Sequence, residues 1–139
     1  MPKPTKQDAE LLLRIEELRR NKQIEDAFNW LWREFAKKQI KTYEDYQRLY
    51  PEGSEGREHV ERISAFWETV GAITKHGLIN EDLLFDRYLV KPYWEQLKVL
   101  VEHDRKEENS LIAENFEWLA RRSVEWGKVH LAKLKKAGK

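Results

Sequence analysis

No cysteine occurs in the 139 residues, and the single methionine is Met1. Disulfides, thiolate metal sites and cysteine nucleophiles are thereby excluded, while the redox compartment stays open. Glycine and proline are scarce, at six and four, too few for a linker-rich chain or a turn-rich all-β fold. No run approaches the ~18 continuous apolar residues of a membrane span. Met1-Pro2-Lys3-Pro4-Thr5-Lys6 lacks the apolar core of a signal peptide. The expectation is a soluble cytoplasmic protein with no membrane partner. An excess of one charge is missing too. Twenty-six Lys+Arg face 25 Asp+Glu for a net +1, which argues against an acidic tail or a generally basic nucleic-acid binder.

What the chain does have is aromatic surface to bury. Six Trp, five Tyr and five Phe are too many for a disordered polyelectrolyte and must build a core. The length suits one domain, 1–139, that buries about 70% of its unfolded surface; residues 1–6 and 137–139 are expected to be flexible ends. No window alternates apolar and polar residues as a strand would. The fold class is therefore all-α, a compact single-domain bundle of about five to seven helices.

Punctuation places them. A first helix runs from about Gln7 to Arg20. A second, from about Ile24 to Gln39, carries Ile24, Phe28, Leu31, Trp32 and Phe35 as its inward stripe; the two could also be one long helix. Thr42 with Asp45 opens a short helix that ends before Pro51. The third long helix, about Arg57 to His76, stops at Gly77, suited to a left-handed C-cap. Asn80 caps a helix to about Leu89, Pro92 sits in the first turn of another that reaches about Asn109, and Asn109 or Ser110 caps a last helix from about Leu111 to Lys136.

At about 100° per residue, Val60, Ile63, Trp67, Val70 and Thr74 share one face, widened by Phe66 and Ile73. Gly71 falls inside that stripe. A glycine there costs about 1 kcal/mol against alanine, so its position implies a neighbouring helix at close approach. Glu68 lies on the stripe's edge. After Pro92 the inner face is Tyr93, Leu97, Leu100 and Val101, with Trp94 beside it, Asp104 within it and Arg105 on its flank. Glu68 and Arg105 are expected to meet as a structural ion pair.

These residues carry a resemblance. Phe66-Trp67-Glu68-x-x-Gly71, Lys75-x-Gly77-Leu78-Ile79, Tyr93-Trp94-Glu95-x-Leu97, Arg105 and Glu114-Asn115-Phe116-Glu117-x-Leu119 look like a family of small bacterial helical proteins classed as a domain of unknown function. The likeness covers roughly Val60 to Leu119, and the N-terminal third resembles the family poorly. Some members place a membrane helix ahead of the domain; no such run occurs here, so membrane attachment is not carried over. The resemblance implies an all-helical fold and supplies no activity, substrate or catalytic residue.

The sequence points to no catalytic residue, no cofactor and no metal ligand. None of His59, His76, His103 and His130 lies three residues after a Glu, so the Glu-x-x-His pair of di-metal bundles is absent. Glu55 with His59 and His103 with Glu107 read as solvated pairs one turn apart. His130 falls on the inner stripe of the last helix with Ile112, Phe116, Leu119, Trp126 and Leu134, as a core or interface histidine. Ser54, Ser64, Ser110 and Ser123 lack a nucleophile elbow, and Gly53-Ser54-Glu55-Gly56 lacks the Gly-Lys-Ser/Thr ending of a phosphate loop.

Two threads point to partners. Arg121, Lys128 and Lys135 share one face of the last helix and could follow phosphates, although cations at a helix C-terminus also complement its dipole. Trp30 points off its helix's main stripe, and Leu111, Trp118 and Val129 form a second ridge on the last helix. A helix apolar on two faces is either central or offers one face to a partner. The reading is a non-enzymatic protein-interaction or self-associating module. The alternative is a weak nucleic-acid-binding accessory protein, and a metal or hydrolytic enzyme comes third.

Overall fold

The computed structural model describes residues 2–138. Among them are seven helices and no strand. Helix α1 (Lys6–Arg19) begins with a capping box: the Thr5 hydroxyl accepts from the Asp8 N–H while the Asp8 carboxylate accepts from the Thr5 N–H. The chain breaks at Arg20 and Asn21, whose side chain caps the next helix, so the first two helices are separate. Helix α2 starts as Lys22–Trp30, widens into a π-turn over Leu31–Phe35 and closes with Ala36–Lys38.

That π-turn alters the expected stripe. Phe28, Leu31 and Phe35 are buried as the wheel predicts, but Trp32 is 39% exposed. A wheel drawn at 100° per residue does not hold through a turn whose hydrogen bonds run i→i+5.

Helix α3 (Tyr43–Leu49) is capped by Thr42, as expected, and α4 (Glu55–Lys75) by Ser54. Gly77, at φ +73°, ends α4, with the Leu78 N–H reaching back to the Ile73 carbonyl. Asn80 caps α5 (Glu81–Arg87). Its side chain also donates to the Pro2 carbonyl, and its N–H donates to Asp8, so Pro2 and the first turn of α1 lie against the start of α5. Of the ends expected to be flexible, Met1 and Lys139 lie outside the described residues. Helix α6 (Lys91–Glu107) carries Pro92 in its first turn. Helix α7 (Glu114–Ala137) begins three residues later than its sequence suggests. Asn109 caps a separate turn there, and Ala113 takes a left-handed φ of +57°.

Helix α4 is the centre, packing most extensively against α7 and then α2. Its buried face is Val60, Ile63, Phe66, Trp67, Val70, Gly71 and Thr74, with His59 and Gly56 extending it toward the N-terminus. Phe28 meets Phe66, Trp67 and Tyr93 edge to face at centroid distances of 5.2–6.0 Å, the preferred aromatic geometry. Phe116, Leu119, Leu97 and Leu84 close the core at 0% exposure.

Candidate functional site

The first N–H groups of a helix have no partner within it, and the residue ahead of α7, Ala113, has no side-chain acceptor to offer. Glu68 on α4 supplies the acceptor. Its Oε1 accepts from the backbone N–H groups of Asn115 (3.1 Å) and Phe116 (2.9 Å), and its Oε2 from the Asn115 side-chain amide (2.9 Å). A carboxylate at this position also faces the positive end of the helix dipole. One turn along α4, Gly71 lets the Asn115 backbone come into contact: a Cβ at 71 would lie 2.4 Å from the Asn115 carbonyl oxygen. One turn further, the Lys75 ammonium donates to the Asn115 side-chain oxygen (3.3 Å). Glu68, Gly71 and Lys75, at i, i+3 and i+7, thus form one cradle for the start of α7.

Arg105 braces the same turn from the other side. Its Nε donates to the Ile112 carbonyl (2.8 Å), its Nη1 to Glu117 (2.8 Å), and its guanidinium lies over the Trp94 ring. The expected Glu68–Arg105 ion pair therefore does not form. The first turn of α7 stands between them, presenting N–H groups to the carboxylate and a preceding carbonyl and a carboxylate to the guanidinium. Burial pushes the Glu117 carboxyl up, but the hydrogen bond and charge of Arg105, joined by Arg121, outweigh it and hold the group below its usual range. The sequence signal for both missed partners was Glu114-Asn115-Phe116-Glu117, the polar opening of a helix.

The other candidate residues scatter. Trp30 is half-buried, packed among Phe35, Tyr50 and His59 at 5.1–5.3 Å, with its indole N–H donating to Glu34. It packs against the core at a corner of the bundle. Trp118 is also half-buried against the core, whereas Leu111 (62%) and Val129 (57%) are exposed. In the expected phosphate stripe Arg121 is held by Glu117. Lys128 and Lys135 are exposed, with no carboxylate in salt-bridge range among the described residues.

The histidines also part company. His59 is buried beside Glu55 (3.5 Å), His103 stacks on Tyr43, and His130 stacks on Trp126. Among the described residues no three His, Asp or Glu side chains gather as a metal set. Asp104 is half-buried; burial, then the nearby Glu108, push its carboxyl above the usual range, against the pull of His103 and Arg57.

The inner stripe of α7 runs off the bundle. Phe116, Leu119, Ala120 and Ser123 are buried, Trp126 and His130 half-buried, and Leu134, expected inside, is 54% exposed. From Lys128 to Gly138 every residue except His130 is exposed, including Val129, Leu131 and Leu134 among Lys128, Lys133, Lys135 and Lys136. The last three turns of α7 form an arm that the other described residues leave largely exposed.

These features define a small all-α bundle with one polar docking hub and one unpacked helical arm. The chain belongs to the family described as a domain of unknown function (DUF4760), whose match covers residues 4–123. The match takes in the N-terminal third, which the motif resemblance left out, and it ends before the arm. No curated protein and no solved structure matches the chain. No helix among the described residues is long and apolar enough to cross a membrane.

Proposed function

We propose that the protein works by binding, as a non-enzymatic interaction module whose contact element is the arm of α7. One observation carries this reading: Val129, Leu131 and Leu134 stay more than half exposed on a helix that continues to Ala137. A short helical stretch with no tertiary contact is marginal in water, and a partner would supply the missing burial. Beyond Glu125 the arm carries lysines and no acid. Two copies laid arm to arm would set like charges together, so an acidic protein surface with apolar pockets is the better fit.

The test is a photo-crosslinking residue placed at Leu131 in the full chain in its native host, with Leu89, 73% exposed on another surface, as the control position. The expected result is a discrete adduct from position 131 alone, lost on Lys128→Glu with Lys135→Glu. No adduct, or the same adducts from both positions, would overturn the reading. An adduct with a second copy would replace the acidic partner by self-association.

A further inference from the structure

A cleft of about 520 Å³ opens between α1, α2, α4, the end of α5 and the start of α6, and no residue of α7 lines it. Its inner wall is Trp67, which is 1% exposed and whose indole N–H is buried with no acceptor. Unmet buried donors are rare, because each forfeits a hydrogen bond it made to water. Trp32, turned outward by the π-turn, and Tyr93 form an adjoining aromatic wall, their rings 5.4 Å apart at 61°. Single π-turns inside α-helices are rare and frequently fall at functional sites.

Arg19, Arg20 and Arg87 line the cleft against Glu16 and Glu25, leaving one positive charge over. Glu16 is occupied: it accepts from the Tyr88 hydroxyl and from Arg87 and lies near Arg20. Arg19 has no carboxylate within salt-bridge range among the described residues, and its guanidinium lies 3.7 Å over the Phe28 ring. Guanidinium forks match carboxylates in shape and charge, and the volume is that of a small-molecule site, in which apolar walls and a few placed polar groups set specificity.

We infer that this cleft binds a small planar aromatic carboxylate, its ring against Trp32 and Tyr93 and its anionic group toward Arg19. A single negative charge balances the lining; a dianion would leave it unbalanced.

The probes are 2-naphthoate and its neutral counterpart 2-naphthamide, titrated into the full-length protein and followed by the six indole N–H resonances in nuclear magnetic resonance. Naphthoate is expected to bind saturably, moving the Trp67 and Trp32 indole signals first, and naphthamide to bind at least about tenfold more weakly, the worth of one charge-assisted contact. Arg19→Gln should erase the difference between the probes, and Trp32→Ala should weaken both; each residue is partly exposed, so both variants should keep the helical signal. Absence of saturable binding at millimolar probe, equal affinity for the two probes, or shifts confined to the other four tryptophans would overturn the inference. None of these results bears on crosslinking from Leu131.

Discussion

Replacing Gly71 with alanine tests the docking hub most sharply, because secondary-structure propensity and packing predict opposite signs. In an isolated helix the change would gain about 1 kcal/mol. In the fold the new Cβ would lie 2.4 Å from the Asn115 carbonyl oxygen and 2.7 Å from its carbonyl carbon, atoms of a backbone that cannot rotate aside. Helix α7 would have to retreat, at the ~1–3 kcal/mol typical of overpacking. Retreat would also stretch the hydrogen bonds to Glu68, and bonds to a charged group are each worth about 1.5–3 kcal/mol. The balance is a loss of about 2–4 kcal/mol, or a Tm lower by about 7–14 °C for a chain of this length. Gly127→Ala is the matched control: it lies in α7, where an added Cβ meets nothing within 4 Å, and should stabilise by up to about 1 kcal/mol. Thermal and urea unfolding followed by circular dichroism would measure both. If Gly71→Ala were as stabilising as Gly127→Ala, the close approach to Asn115 would be refuted.

Two further outcomes follow from the same geometry. Glu68→Ala leaves the N–H groups of Asn115 and Phe116 without their acceptor and should cost about 2–4 kcal/mol in urea unfolding, with Glu68→Gln, which keeps one oxygen, losing less; equal stability of the two variants and the parent would contradict the capping role. Asp104 has a folded-state carboxyl raised chiefly by burial, so its contribution to stability is greatest below its unfolded value and is lost as pH rises through the folded one. Asp104→Asn should therefore stabilise the protein at neutral pH and by less at about pH 3; a loss of stability at neutral pH would mean that a partner compensates the charge.

Much of the fold was legible because its signals are local. Thr42, Asn80, Gly77 and Pro92 mark helix ends through the backbone groups they satisfy or free, and all stand where that chemistry places them. The buried face of α4 followed from a 3.6-residue period, and Gly71 from its cost. The π-turn was not legible, since no residue type demands it, and it exposes Trp32 while Trp30 packs inward. The partners of Glu68 and Arg105 were not legible either. Both groups were recognised as polar and near the core, but their acceptors and donors include backbone atoms of a turn whose left-handed Ala113 gives no glycine signal. Leu134 kept the helical period and still lies outside, because periodicity says which residues share a face and not where the neighbouring helices end.

The functional reading depends on the arm of α7 being unpacked, and amide hydrogen exchange on the purified full chain measures that directly. Phe116 to Ser123 should exchange only through global unfolding, with protection falling steeply after Gly127 and close to that of a free peptide across residues 128–137. Strong, concentration-independent protection continuing to Ala137 would mean that the arm is already covered within its own chain, and would contradict the account.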